Sequence, residues 1–130
     1  MQLTDEGKGL AEKAKSLAGE RKVSGGTVKG VGAALVTEKG RIFTGVSLNL
    51  WCGIGFCAEH AAIADMVSHS SETRIKIIVA HCGERIMYPC GRCRELMELI
   101  DRENREITEV IVSENEKVLL KELLPGEWMH

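Results

Sequence analysis

Apolar residues recur at the spacing of a helix near the start of the chain. Leu10, Ala14 and Leu17 fall on one face of the segment 5–18, and Thr4 has a side chain suited to capping its first turn. The pattern therefore predicts an amphipathic helix that packs its apolar face against the rest of the protein.

Two apolar runs that are partly β-branched follow this helix. They cover Val28–Thr37 and Arg41–Val46, and the short polar segment Glu38-Lys39-Gly40 joins them. This arrangement predicts a β-hairpin. The next segment, Leu48–Phe56, contains two glycines and is predicted to be a loop.

The second half of the chain alternates helix and strand patterns. Helices are predicted over about 57–70 and 90–102, and strands over 75–80, 109–112 and 117–120. After the first helix the order is β-β-α-β-α-β, and a further strand candidate follows at the end. This order predicts an α/β sandwich with a mixed sheet.

Length and charge narrow the classes of function. At 130 residues the chain is expected to form one domain, 1–130, with a core of its own. The formal net charge is −2, the pI is near 6.1, and lysines and arginines are scattered among acids. This balance provides no positively charged surface for a nucleic-acid backbone, so we expect a small-molecule substrate.

Cysteine usage predicts the compartment. The chain has five cysteines, an odd number, and shows neither a signal-peptide pattern nor an apolar run of membrane-spanning length. A disulfide framework is therefore not expected. We predict a cytoplasmic protein without a membrane partner.

Three of these cysteines carry the candidate chemistry. Cys57 stands at the start of one predicted helix, and Pro89-Cys90-Gly91-Arg92-Cys93 opens another. Three thiolates suit Zn²⁺ and leave the fourth position of a tetrahedral ion to water, which then loses a proton near pH ~7. We therefore predict that Cys57, Cys90 and Cys93 bind zinc.

The residue two positions after the first ligand completes the pattern. Glu59 is placed to reach a zinc-bound water without being a ligand itself, and C-x-E followed by P-C-x-x-C is typical of zinc deaminases. The alternative is a structural zinc site in which Cys52 or Cys82 is the fourth ligand. That alternative leaves the C-x-E spacing unexplained.

Positive charge near the site is the next requirement. Zinc with three thiolates carries a net negative charge, which makes bound water less acidic unless a cation offsets it. Arg92 and Arg94 flank Cys93 and are the candidates for this charge balance, although both also fit a solvated helix surface.

Several motifs resemble one family. The segments concerned are Gly32-Ala33-Ala34-Leu35, Gly40-Arg41-Ile42-Phe43-Thr44-Gly45, Cys57-Ala58-Glu59, Pro89-Cys90-Gly91-Arg92-Cys93-Arg94-Glu95 and Glu122-Leu123-Leu124-Pro125. Together they resemble the homotetrameric cytidine deaminase family and, in places, its blasticidin S deaminase branch. The resemblance implies zinc-dependent hydrolytic replacement of the C4 amino group of a cytosine nucleoside. It also implies a three-layer α/β/α fold around a five-stranded mixed sheet, with active sites shared between subunits.

The resemblance also implies roles for individual residues. Cys57, Cys90 and Cys93 would bind zinc, and Glu59 would carry a proton from water to the ring N3 and then to the leaving amine. The backbone around Ala58 would contact the pyrimidine edge. Trp128 would stack on the base in a neighbouring subunit, or else merely pack the C-terminus.

Three positions depart from the family pattern. Ser47-Leu48-Asn49 stands where cytidine deaminases have Asn-x-Glu for the ribose hydroxyls, His60 replaces an arginine, and Lys29 replaces a phenylalanine that walls the base pocket. We therefore expect Ser47 and Asn49 to form an altered sugar site. The alternatives are a deaminase of blasticidin S or another aminated heterocycle, and a catalytically silent zinc-binding scaffold.

Overall fold

The protein folds around a mixed β-sheet that is covered by helices on both faces. The computed structural model describes residues 1–127, and its elements follow in chain order. They are α1 (Asp5–Leu17), β1 (Arg21–Val23), β2 (Gly26–Thr37), β3 (Ile42–Leu50), β4 (Gly55–Phe56), α2 (Ala58–His69), β5 (Ile75–Cys82), β6 (Arg85–Met87), α3 (Gly91–Ile100), α4 (Asn104–Ile107), β7 (Glu109–Ile111), β8 (Lys117–Leu119) and α5 (Leu120–Leu123).

The strands form one sheet in the order β4-β3-β2-β5-β7-β8, with β1 paired to β2 and β6 paired to β5. All pairs are antiparallel except β5 with β7, which run parallel. The predicted α/β sandwich with a mixed sheet is therefore confirmed. The expected number of five strands is too low, because within the described residues the short strands β1, β4 and β6 raise it to eight.

The predicted loop over Leu48–Phe56 is wrong in part. Strand β3 continues to Leu50, a 3₁₀ turn covers Trp51–Gly53, and β4 then pairs back onto β3. Cys52 adopts a φ of 62° inside that turn, which reverses the chain and lets two residues return along the strand. The segment is therefore an extension of the hairpin.

Helix α1 forms one outer layer. The Oγ of Thr4 accepts a hydrogen bond from the amide of Gly7 at 3.2 Å, which is the predicted cap. The buried face of the helix, with Leu10 and Ala14, packs against Val36 and Ile77 of the sheet.

Helices α2 and α3 form the opposite layer. Ile63 and Met66 of α2 and Met97 of α3 are buried against Leu35 and Ile78 of the sheet. With α1 on the other face, this gives the three-layer arrangement. Among residues 1–127 no helix has both the length and the apolar character needed to cross a bilayer.

Two glycines set how closely the helices approach the sheet. A Cβ on Gly45 of β3 would stand 2.4 Å from the amide nitrogen of Ala62 and 2.7 Å from the carbonyl oxygen of Ala58. On the other face, a Cβ on Gly32 would stand 2.5 Å from the carbonyl oxygen of Ala14 in α1. The first turns of α2 therefore lie directly on β3, and this contact fixes the position of Cys57.

Candidate metal centre and active site

The three predicted zinc ligands meet at the starts of two helices. Cys57 is the N-cap residue of α2, Cys90 is the N-cap residue of α3, and Cys93 lies in the first turn of α3. The Sγ atoms are 3.5 Å apart for Cys57 and Cys90 and 3.4 Å apart for Cys90 and Cys93, and all three lie within 4.8 Å of one another. Helix starts favour this position for thiolates, because their free amides and positive dipole end face the sulfur atoms.

This geometry fits a tetrahedral zinc ion. Two thiolates at a Zn–S distance of ~2.3 Å in a tetrahedral site stand about 3.8 Å apart, close to the separations found here. Cys52 and Cys82 are exposed and do not join the cluster. Within the described part of the chain the donor set is therefore three thiols, which leaves a coordination position open.

The thiols differ in how readily they ionise. Burial, and then the charge of Glu59, raises the pKa of Cys93 far above its ordinary value. Burial also raises the pKa of Cys57. For Cys90, burial opposes ionisation, but hydrogen bonds from the Cys93 amide and the neighbouring thiols outweigh it and lower the pKa. A bound dication reverses the cost of burial, because a coordinating thiol is deprotonated.

Glu59 lies beside this cluster as the second residue of α2. Its side chain is 5% exposed. Burial raises its pKa, and hydrogen bonds from its own amide and from the Cys93 thiol offset that rise only in part. A carboxyl group whose pKa is raised takes up a proton more readily, so the environment suits a proton carrier.

Cys57, Cys90 and Glu59 line one cleft of about 470 Å³, and Cys93 is buried behind it. This volume is within the range of small-molecule sites. Its polar wall comes from β2, β3 and the segment before β1, and its apolar rim from the turn after β3 and the loop before α3. The lining includes the predicted ligands Cys57 and Cys90 together with Glu20, Thr27, Gly30, Ser47, Asn49, Ile54, Phe56, Ala58, Glu59, Tyr88 and Arg92.

Two of the lining residues are the predicted sugar contacts. The Oγ of Ser47 accepts a hydrogen bond from the Val31 amide at 2.9 Å, which ties β3 to an irregular stretch of β2. Asn49 is exposed at the cleft two residues farther along β3. Lys29 lies in the same irregular stretch with a φ of 62° and is not among the residues that line the cleft.

The two candidate charge-balancing arginines have different surroundings. Arg92 is exposed and lines the cleft. Arg94 donates from Nε to the carbonyl oxygen of Pro89 at 2.8 Å and from Nη1 to that of Leu123 at 3.0 Å. Arg92 is therefore the better placed to offset charge, whereas Arg94 fastens the loop before α3 to α5.

His60 lies in the first turn of α2 and lines a groove together with Leu96 and Ile100 of α3. Its Nε2 is buried and has no hydrogen-bond partner within residues 1–127. Burial, and then the charge of Arg92, lowers its pKa, which favours the neutral ring. Trp128, the predicted stacking residue, lies outside the described residues.

Sequence reasoning missed several residues of the cleft. Phe56 and Tyr88 directly precede the two ligand segments, so their position beside Cys57 and Pro89 was a usable signal. Glu20 gave no such signal, because only the pairing of β1 with β2 carries it to the cleft.

Comparisons with known proteins identify the family of the chain. Residues 6–113 match the family model for the cytidine and deoxycytidylate deaminase zinc-binding region. The chain belongs to this family. The prediction of Zn²⁺ as cofactor is confirmed by this family description together with the thiol cluster.

Individual relatives cover different parts of this family member. It is 31% identical over 98 residues to a cytidine deaminase of Halalkalibacterium halodurans, and the matched residues cover 74% of each chain. It is 42% identical over 67 residues to a probable cytidine deaminase of Dictyostelium discoideum, covering 50% of this chain and 46% of that protein. It is 34% identical over 76 residues to a blasticidin-S deaminase of Bacillus cereus, covering 52% of this chain and 54% of that protein. The chain thus spans about half the length of two of these relatives.

The fold matches a solved structure over nearly its full length. The cytidine deaminase from Mycobacterium tuberculosis superposes with a TM-score of 0.75 at 23% identity, covering 98% of this chain and 100% of that chain. This likeness supports the three-layer fold of the deaminase family member described above.

Proposed function

We propose that this protein hydrolyses the C4 amino group of cytidine or a cytosine nucleoside derivative and releases ammonia. The observation that carries the proposal is a cluster of three thiols beside a cleft that two of them line together with the buried Glu59. The retained carboxyl group argues against a silent scaffold, because a purely structural metal needs no proton carrier.

Zinc held by Cys57, Cys90 and Cys93 would act as a Lewis acid and lower the pKa of water in the site. Glu59 accepts the proton of the attacking water and passes it to the ring N3. It then carries the second proton to the departing amine, so that the C4–N bond breaks, a C4–O bond forms and ammonia leaves. One carboxyl group serves both transfers, in keeping with its raised pKa.

The surrounding residues orient the substrate. Ala58 is the first residue of α2, so its amide has no intrahelical acceptor and is available to the pyrimidine edge. Arg92 supplies positive charge at the cleft wall. Ala58 and Glu59 are buried where they line the cleft, and charge interactions at a buried position are stronger than in bulk water.

Ammonia release from cytidine by the zinc-loaded protein tests the proposal. We expect turnover that depends on zinc and is lost in Glu59→Gln. A zinc-loaded protein that deaminates no cytosine nucleoside would contradict it.

A second candidate is a cytosine derivative with a differently decorated sugar, such as blasticidin S. It is favoured by Ser47-Leu48-Asn49, which lacks the carboxylate of the family pattern, and by the similarity to a blasticidin-S deaminase. A comparison of kcat/KM for cytidine and blasticidin S separates the two. A higher value for cytidine assigns the protein to cytidine.

We also propose a homotetramer in the cytoplasm. An apolar groove of about 410 Å³ on the outer face of α2 and α3 supports association, and Val67 in it is 48% exposed. Its lining includes Phe56, His60, Ile63, Val67, Leu96 and Ile100. The five free cysteines support a reducing compartment.

Light scattering on eluting protein tests the assembly. We expect a tetramer whose mass falls in Val67→Glu but not in Val23→Glu, which places the same charge on an exposed valine of β1 outside the groove. A monomeric parent with full activity would contradict the proposal. Contact of Trp128 with a neighbouring site remains a prediction.

A further inference from the structure

A carboxylate that the proposed mechanism does not use lines the cleft. Glu20 lies between α1 and β1, and its side chain lines the same cleft as Ser47 and the thiols. It is exposed, and it forms no ion pair within residues 1–127. Its charge is therefore available to a ligand.

The neighbours of Glu20 hold it in place. The amide of Gly19 donates to the carbonyl oxygen of Lys29 at 2.8 Å, and Arg21 pairs with Val28 in the β1–β2 ladder. The backbone on both sides of Glu20 is thus bonded to β2. A residue held in this way orders its side chain at a smaller entropic cost on binding.

Gly30 provides the space that the carboxylate occupies. A Cβ on Gly30 would stand 3.3 Å from Oε2 of Glu20 and 3.9 Å from Oγ of Ser47. Both oxygens therefore lie within 4 Å of one point on the cleft wall. One of these oxygens belongs to a carboxylate and the other to a hydroxyl group.

The strand order separates Gly30, and with it Glu20, from the metal ligands. Cys57 follows β4, which pairs with β3, and β3 in turn pairs with β2, where Gly30 lies. Two strand spacings separate Cys57 from Gly30, on the order of 10 Å. This is about the length of one nucleoside, so a base held at the thiols brings its sugar to Glu20.

We propose that Glu20 is a specificity-determining residue that accepts hydrogen bonds from the sugar hydroxyls of the substrate and disfavours a 5′-phosphate. This rests on the proposed function. A carboxylate accepts hydrogen bonds from hydroxyls but repels a phosphate, which is itself an anionic acceptor. The family description includes both cytidine and deoxycytidylate deaminases, and Glu20 selects the nucleoside.

This assignment changes the expectation for the sugar site. Ser47-Leu48-Asn49 on β3 carries no carboxylate, and the hydroxyl oxygen of Ser47 already accepts a hydrogen bond from Val31. Glu20 supplies the missing carboxylate from the segment before β1. Arg92 belongs to the α3 wall of the cleft beside Cys93 and forms no ion pair with Glu20.

Steady-state kinetics with cytidine and cytidine 5′-monophosphate test the proposal on the zinc-loaded protein. We expect Glu20→Gln to raise the KM for cytidine about tenfold at nearly constant kcat, because a bond to a charged acceptor is replaced by a neutral one. The ratio of kcat/KM for cytidine to kcat/KM for its monophosphate should fall at least tenfold in Glu20→Gln. It should fall further in Glu20→Lys. The control Glu116→Gln removes the same charge at an exposed turn outside the cleft and should change neither value.

Two outcomes overturn the inference. The first applies when the parent turns cytidine over. It is a Glu20→Gln variant whose KM for cytidine and preference for cytidine over its monophosphate equal those of Glu116→Gln. The second applies when the parent turns over neither substrate, so that the proposed function has failed. In that case the binding of cytidine, measured by calorimetry, decides the role of Glu20. Weaker binding in Glu20→Gln then supports the inference, and unchanged or undetectable binding overturns it.

Discussion

The contact between β3 and α2 gives a sharp test of how the fold positions the metal site. Gly45→Ala would place a Cβ 2.4 Å from the Ala62 amide and 2.7 Å from the Ala58 carbonyl, both of which are backbone atoms that cannot rotate away. Helix α2 must retreat by about 1 Å to restore ordinary contact distances. Overpacking of this kind costs about 1–3 kcal/mol of stability.

The same retreat acts on zinc binding. Cys57 caps the helix that moves, whereas Cys90 and Cys93 stay with α3. Metal–ligand distances tolerate only about 0.2 Å, so we expect zinc affinity to fall at least tenfold in Gly45→Ala. Denaturant unfolding and competition with a chromogenic chelator measure the two effects separately.

Two matched glycines serve as controls. Gly32→Ala makes a similar clash with the Ala14 carbonyl, but on the α1 face, so it should lose similar stability and keep zinc affinity. Gly9→Ala, at an exposed position of α1 with open space around it, should gain about 0.5–1 kcal/mol. If Gly45→Ala binds zinc as tightly as Gly32→Ala does, the docking of α2 on β3 does not set the position of Cys57 and the reasoning is refuted.

Further predictions concern the site itself. Metal analysis should find about one zinc per chain, lost in alanine variants of the three clustered cysteines and retained in Cys52→Ala and Cys82→Ala. Glu59→Gln should keep the fold and the zinc, but kcat, measured as ammonia release, should fall by ~10²–10⁴-fold or more. Near-parental activity of this variant would exclude Glu59 from the mechanism. Arg94→Met should lose about 1–3 kcal/mol in denaturant unfolding, because two backbone carbonyls lose their donor. Arg92→Met should instead leave stability unchanged and lower kcat, and equal effects in both would contradict this division of roles.

The long elements and the residues of the thiol cluster were predictable from the sequence because their signals are local. The apolar spacing around Leu10 and Ala14 and the β-branched runs of β2 and β3 each follow from one element's own periodicity. The ligand spacing is equally local, since Cys90 and Cys93 share one helix turn.

What the sequence did not reveal depends on pairing between distant segments. Strand β4 is two residues long, too short for an alternating pattern, and it exists only because β3 continues far enough to receive it. Glu20 reaches the cleft through the pairing of β1 with β2 and the missing side chain of Gly30. No spacing within either segment encodes that proximity.

The starts of α2 and α3 share one set of thiols although 33 positions separate Cys57 from Cys90. A metal that joins them ties two helix ends into a single cooperative unit. On a hydrogen-exchange map the amides of both first turns should therefore open together in the zinc-bound protein, and chelation should speed their exchange in parallel while the amides of α1 stay protected.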